Sequence, residues 1–247
     1  MGKGKIYDMH CHASQLNREE MEGIIKENIT IVGVSEDIES LRKTIEISHL
    51  YQGNIIVCAG LHPWKVKDGY TSQAEYIIKE VEKRDLGCIG EVGLDKRFLQ
   101  SNTYEKQREV FMKFVRLAKD LDILINIHSP NAWNEVLNML IENDVKRAMF
   151  HWYTGPVSLM EKIAENNYAI SLNVALMLNK KHVDIVKASP KEHIVFESDA
   201  PYVYHGVRLS PLMIRSFVPF ISKVKGIPEN EIVELSLKKS SFLLKSN

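Results

Sequence analysis

Lys5-Ile6-Tyr7-Asp8-Met9-His10-Cys11-His12 opens the chain as an apolar strand ending on two histidines. Alternate residues of a strand share a face, so both imidazoles point one way and Cys11 points the other, into packing. The form recurs. Glu91 follows Cys88-Ile89-Gly90, His128 closes Leu124-Ile125-Asn126-Ile127-His128, His151 follows Ala148-Met149-Phe150, and Asp199 follows Ile194-Val195-Phe196-Glu197-Ser198. Imidazoles and carboxylates at strand ends are what a barrel needs to hold divalent metals at one mouth.

Working outward, short apolar runs at 6–10, 29–34, 54–60, 88–92, 124–128, 148–151, 168–172 and 194–198 read as strands. Most are rich in β-branched residues and lack a polar face, as expected of parallel strands covered on both sides. Between them lie amphipathic helices, clearest over 37–51, 104–121, 157–166 and 229–244. The stretch 210–224 is weaker, because Pro219 should kink or end it. No Gly/Ser/Pro-rich linker and no internal repeat interrupts the alternation. The expectation is α/β: one (β/α)8 TIM barrel over 1–247 with its metal site at the C-terminal mouth. A doubly wound open sheet is the alternative. Ligands on strands one, four, five, six and eight disfavour it, since they converge only if strand eight lies beside strand one.

The bulk numbers are permissive. The chain has 247 residues with 45% hydrophobic, enough for a large core, and Lys+Arg and Asp+Glu both number 32. Zero net charge argues against a polyanion binder that works by bulk charge. Cys11, Cys58 and Cys88 form no regular framework and suggest reduced thiols in a cytosolic protein. No apolar run is long enough for a membrane span, and Met1-Gly2-Lys3-Gly4-Lys5 leads into no signal-peptide core. A cytoplasmic monomer with no membrane and no obligate protein partner is expected.

The candidate ligands divide by spacing. His10 and His12 can hold one metal from one strand. Glu91 lies between glycines, and its two oxygens can bridge two cations. His128 and His151 supply a second pair of nitrogens, and Asp199 can touch the first metal and its water. Together they describe a two-metal hydrolytic site in which one metal makes hydroxide at neutral pH and the other holds the substrate oxygen. Singly, each residue has an ordinary role: a lone buried histidine is usually a hydrogen-bonded core residue, and Ser-Asp-Ala-Pro is usually a turn or cap. Agreement in residue type, strand end and order makes coincidence a poor account. His62, in Gly60-Leu61-His62-Pro63-Trp64, is a candidate for the substrate pocket, whereas His49, His182, His193 and His205 read as solvated or capping.

Asp8-Met9-His10-Cys11-His12, Gly60-Leu61-His62-Pro63, Gly90-Glu91-Val92-Gly93-Leu94-Asp95, Ile127-His128-Ser129, His151-Trp152-Tyr153-Thr154-Gly155 and Glu197-Ser198-Asp199-Ala200-Pro201-Tyr202 resemble the successive signatures of the TatD family, metal-dependent hydrolases of the amidohydrolase superfamily. The resemblance spans nearly the whole chain. It implies a TIM barrel with His10, His12, Glu91 and Asp199 around one divalent metal and Glu91, His128 and His151 around a second. It further implies a hydroxide nucleophile with Asp199 as proton acceptor, and DNA phosphodiesters as substrate. The metals would be Mg, Mn or Zn. Three departures stand out: Pro130 where the family usually has arginine, Lys96-Arg97 where an aromatic residue often follows Gly-Leu-Asp, and Leu209-Ser210 where Arg-Asn-Glu-Pro carries a carboxylate.

Lys96, Arg97, Lys180, Lys181 and Arg208 fall in loops expected on the active face, as do Trp64, Trp152, Tyr153, Tyr202 and Tyr204. Most would be solvated or capping residues. Trp152 and Tyr153, directly after a ligand, are the first candidates to stack bases of a single strand or exposed strand end. Two other functions stay open: an esterase, lactonase or amidase using the same chemistry on a carbonyl, and a noncatalytic binding barrel, which intact ligands disfavour.

Overall fold

The computed structural model describes residues 4–67, 69–98, 103–179 and 182–246. The apolar runs form β1 (Ile6–Cys11), β2 (Ile29–Val34), β3 (Ile55–Cys58), β4 (Cys88–Gly93), β5 (Leu124–His128), β6 (Ala148–Phe150), β7 (Ala169–Asn173) and β8 (Ile194–Glu197). The helices between them are α1 (Arg18–Lys26), α2 (Ile38–Leu50), α3 (Tyr70–Arg84), α4 (Tyr104–Leu121), α5 (Trp133–Glu142), α6 (Met160–Glu165) and α7 (Val183–Ala188). A short hairpin of β9 (Val203–Tyr204) and β10 (Val207–Arg208) then precedes α8 (Ile214–Lys225) and α9 (Glu229–Leu244).

β1–β2–β3 and β4 through β8 pair in parallel. Two seams join these sheets. β3 meets β4 through the parallel bridge between Ala59 and Ile89, with Gly90 N donating to Ala59 O at 2.9 Å. β8 meets β1 where Asp199 N donates to His10 O at 2.9 Å and His12 N to Ala200 O at 2.8 Å. Buried Asp8 reinforces that seam, accepting from Ser198 N at 2.9 Å and Ser198 Oγ at 2.5 Å. The strand order is thus the cyclic one of a TIM barrel, and the open-sheet alternative falls.

Inside the ring, Tyr7, Met9, Val32, Val34, Cys58, Cys88, Leu124, Met149, Ala169 and Val195 make an apolar floor, with Leu243 of α9 packed against it. Residues of opposite parity, such as Ile6, Ile31, Ile125 and Phe196, pack outward with the helices. Simple alternation does not carry the floor up to the mouth on every strand. The register of β1 against β2 slips between Asp8 and Cys11, and that of β4 against β5 slips between Ile89 and Val92. Tyr7 and Met9 belong to the floor, yet His10 and His12 serve the mouth; Cys88 belongs to the floor, yet Glu91 does. Each slip moves the inward parity by one residue, as a bulge at a barrel rim does.

Two expectations need correcting. Cys58 and Cys88 are joined by a disulfide, not reduced. They end β3 and begin β4 across the seam, with Cα atoms 4.5 Å apart, a juxtaposition that spacing cannot reveal. The cysteines therefore no longer argue for a cytosolic location. Pro219 does not end α8, which runs through it from Ile214 to Lys225. It lies on the exposed face and removes one backbone donor, while Phe217, Val218 and Ile221 anchor the opposite face. The β9–β10 hairpin was not foreseen; its turn is His205-Gly206, both at positive φ (48° and 80°), as a two-residue hairpin turn requires. Among the described residues no helix is long and apolar enough to cross a membrane.

Candidate metal centre

Close backbone approach sets the position of Glu91. A Cβ on Gly93, at φ 149°, would lie 1.9 Å from His128 O, and one on Gly60 would lie 2.4 Å from the Gly90 carbonyl carbon. Only glycine lets β4 press against both neighbours there. The Glu91 side chain then sits among imidazoles from four loops and strand ends. Oε2 lies 3.4 Å from His10 Nε2 and 3.8 Å from His12 Nε2. Oε1 lies 2.8 Å from His128 Nδ1, 3.3 Å from His62 Nε2 and 3.8 Å from His151 Nε2. Asp199 Oδ1 closes the first side, 3.2 Å from His12 Nε2 and 3.4 Å from His10 Nε2.

Among the described residues three groups have donor atoms within 4.8 Å of one another: His10, His12 and Asp199; His10, Glu91 and His151; His62, Glu91 and His128. All six ligands expected from the sequence therefore meet in one place. Their grouping is different in detail. His128 stands with His62 (ring centroids 4.4 Å apart), and His151 stacks on His10 at 3.5 Å. His62, expected in the substrate pocket, is as close to Glu91 as His10 is.

Outer partners fix the rings. His10 Nδ1 lies 2.9 Å from Asn126 Oδ1, and Asn126 Nδ2 donates to Met9 O at 2.9 Å. His151 Nδ1 lies 3.0 Å from Glu197 Oε2, while Glu197 Oε1 accepts from Trp152 N and Asn173 Nδ2. His128 Nε2 lies 2.8 Å from Asp95 Oδ2. A donor on one ring nitrogen leaves the other as a ligand, a common second layer around metals. Asp95, Asn126 and Glu197 were overlooked in the sequence. The signal was present: Asn126 and Glu197 each stand two residues before a candidate ligand, so they share its face of the strand.

The donor set fits divalent cations. His10 Nε2 is buried without a hydrogen-bond partner among the described residues and is aimed between two carboxylates. Burial acts to raise the Glu91 carboxyl, but His62 and His10 outweigh it and hold it well below the carboxylate range. Asp199 is likewise lowered against its burial, mainly by His12. Burial opposes protonation of His10, His12, His128 and His151, yet the adjacent carboxylates hold all four above the ordinary imidazole value. Burial wins at His62, which falls to about 4 despite Glu91. Two buried anions are thus compensated by protons on imidazoles, a task that metal ions perform when the same nitrogens ligate them.

A cavity of about 380 Å³ opens over this cluster. Trp64, Arg97, Pro130, Trp152, His182, Tyr202 and Tyr204 line it beside the metal-type ligands. Trp152 is held at φ 39°, unusual for a bulky residue, with its N–H on Glu197. Tyr153 points away: it is buried, and its hydroxyl donates to Pro156 O at 2.7 Å, so it packs and does not face the cavity. His182, expected as a solvated or capping residue, is the N-cap residue of α7 and also lines the cavity. Arg208 pairs with Glu20 at 3.0 Å on the rim, and Lys180 and Lys181 lie outside the described residues.

Relatives match over nearly the whole chain. An uncharacterised metal-dependent hydrolase of Methanocaldococcus jannaschii is 27% identical over 249 residues, covering 98% of this chain and 97% of its own. Human deoxyribonuclease TATDN3 is 28% identical over 251 residues, 94% of this chain and 91% of its own. The crystal structure of YJJV, a TatD homologue from Escherichia coli, superposes with a TM-score of 0.88 at 20% identity over 98% of both chains, a likeness of fold. The family model for TatD-related DNases matches residues 7–245. With barrel, buried ligand set and family signature in register, the chain belongs to the TatD-related DNase family of metal-dependent hydrolases.

Proposed function

We propose that residues 1–247 act as one hydrolase domain that uses two divalent metals (Mg, Mn or Zn) to cleave phosphodiester bonds of DNA, entering as a single strand or exposed strand end. One observation carries this reading: the two oxygens of Glu91 face two different sets of imidazoles, so this carboxylate could serve two cations at once. His10, His12 and Asp199 would hold one ion with Glu91; His128, His151 and His62 surround the other Glu91 oxygen. When bound, such ions lower the pKa of water and neutralise charge on a phosphodiester. Asp199 takes the proton released at the attacking oxygen. Asn126, Glu197 and Asp95 keep His10, His151 and His128 in the ring orientations just described.

The cavity walls support the substrate class. Trp152, Tyr202 and Tyr204 form an edge-to-face cluster with centroids 5.5–5.7 Å from Trp152. Stacking on such rings contributes about 1–3 kcal/mol per base and tolerates any sequence. The human relative is named a deoxyribonuclease. A second reading, hydrolysis of a carboxylic ester, lactone or amide, draws on Pro130, which places no cation on the wall beside His128.

The test is hydrolysis of single-stranded DNA by metal-stripped protein refilled with Mg, Mn or Zn, with Asp199→Asn as the control. Metal-dependent cleavage lost in the variant is expected. Protein that binds two ions and cleaves no DNA with any of them would pass the field to the carbonyl reading. An Asp199→Asn protein that binds metal and cleaves at the wild-type rate would remove Asp199 from proton transfer.

A further inference from the structure

Glu36 follows β2 and lines the cavity, half-buried. Among the described lining residues it is the one carboxylate outside the metal-type ligands, since the others are Glu91 and Asp199. Its peptide is fixed on both sides. The Glu36 N–H donates to Ser40 Oγ at 2.9 Å, and its carbonyl accepts from His62 N at 2.9 Å. Ser35, one residue before, is buried at the seam: its carbonyl accepts from Glu91 N at 2.9 Å and its Oγ from Gly60 N at 3.0 Å. The Glu36 carboxylate, unlike its backbone, has no hydrogen bond or ion pair among the described residues. Lys65 senses its charge, but the Lys65 ammonium pairs with Asp37 at 3.0 Å.

This is a held anion on the wall of a site that takes anions. Imidazoles compensate Glu91 and Asp199, and no such partner stands on Glu36. An ionised carboxylate only accepts hydrogen bonds, so it takes O–H and N–H groups and repels a phosphate. The interior of a DNA strand brings a further phosphate at every step, whereas its end offers a sugar hydroxyl. The cavity, about 380 Å³, is near the small end of the roughly 300–1,000 Å³ common for ligand sites, a size suited to the end of a strand. In a ring of eight strands the loops after β2 and β6 stand opposite each other, so Glu36 lies across the Glu91 cluster from the Trp152 wall. A base on Trp152 and a sugar end at Glu36 then flank the cluster from two sides.

We infer that Glu36 is a specificity-determining residue: its carboxylate accepts a hydrogen bond from the terminal sugar hydroxyl of a strand and disfavours an end that carries phosphate. The inference rests on the phosphodiesterase reading above. Three substrates test it: a dinucleoside monophosphate with hydroxyls at both ends, and the same molecule carrying a phosphate at one end or at the other. Wild-type holoenzyme should show a KM about tenfold or more higher for one of the two phosphorylated forms, the scale of a like-charge contact in place of a charge-assisted hydrogen bond. The difference should shrink as salt is raised, because the carboxylate is only half-buried. Glu36→Gln keeps the size and removes the charge, so the ratio of the two KM values should fall to near one. Glu36→Lys should invert it, with the phosphorylated form preferred.

Equal KM values for all three substrates in the wild type would overturn the assignment. So would a ratio that survives in Glu36→Gln, or a fall in kcat of equal size on every substrate with the ratio unchanged, because either pattern gives Glu36 no part in reading the end. The two readings fail separately. Wild-type enzyme that cleaves none of the three defeats the phosphodiesterase reading. Binding of the phosphorothioate-linked forms to the holoenzyme judges Glu36 with or without turnover: equal or undetectable affinity for hydroxyl and phosphate ends, or the same difference in Glu36→Gln, removes it from recognition.

Discussion

The eight strands carry two layers of opposite character a few residues apart. At the floor, Met9, Val34, Cys88, Leu124, Met149 and Val195 meet with no polar atom to satisfy. At the mouth, His10, Glu91, Asn126, His128, Glu197 and Asp199 are as deeply buried, and almost all are polar atoms tied to one another. Burial alone thus says little about role. The floor gains from the hydrophobic effect and needs volume; the mouth costs desolvation and returns it only when every partner is present. The boundary is sharp on β5 and β8, where Leu124, Asn126 and His128, or Val195 and Glu197, follow strict alternation. On β1 and β4 it is a slip of one residue. The layers should therefore separate in experiment: mouth changes should cut chemistry, and floor changes should cut stability.

The largest effect is expected at Glu91. Glu91→Gln keeps the size and removes the anion that faces both imidazole groups, so both metal positions weaken together. Hydrolysis should fall by more than the roughly 10–100-fold that loss of an outer partner costs. Calorimetric titration should show metal affinity falling at both positions, and circular dichroism should show an intact barrel. Loss of one ion with the other bound as before would break the bridging assignment.

Met149→Ala tests the other layer. A fully buried methionine in a close-packed floor should cost about 2–5 kcal/mol of unfolding free energy, read from urea melts. The folded fraction should keep its turnover within a few-fold. A floor variant that unfolds no more easily but turns over a hundredfold more slowly would show that the two layers are coupled through the strands.

Asn126 sits between them and sharpens the comparison. Asn126→Ala removes the hydrogen bond to His10 Nδ1 and the donor to Met9 O. Metal affinity should fall about 10–100-fold by titration, with stability lowered by about 1–3 kcal/mol for the orphaned carbonyl. Unchanged affinity would mean that His10 is oriented by stacking on His151 and not by Asn126.

What the sequence made legible follows the same division. The strands, their cyclic order and the clustering of the six candidate ligands were readable because β-branched runs and strand-end imidazoles are local signals. The one-residue slips at Asp8/Cys11 and Ile89/Val92 were not, since they depend on the partner strand. The histidine faces were inferred from alternation; a slip of register in fact delivers them. Asn126 and Glu197 show only their two-residue spacing to His128 and Asp199, and the rings that they and Asp95 orient lie on other strands. The Cys58–Cys88 bond arises at a contact between neighbouring strands, and Tyr153 is buried with its hydroxyl on Pro156 O.

The smallest expected effect lies away from both layers. Lys239 of α9 is buried, and its ammonium donates to Asn167 O at 2.7 Å and Asn167 Oδ1 at 2.8 Å. Burial lowers its pKa from 10.5 to about 8. Below pH 8 both folded and unfolded chains carry the proton, and the fold bears the cost of a buried charge. Between pH 8 and 10.5 the unfolded chain still holds the proton that the folded one has released. Unfolding then takes up a proton, and stability attributable to this group rises with pH across that window. Urea melts at pH 7.5 and 10.5 should show wild type gaining on Lys239→Met by about 1–3 kcal/mol, the variant cancelling every other titration. Equal changes in the two proteins would mean that Asn167 solvates the ammonium as well as water does.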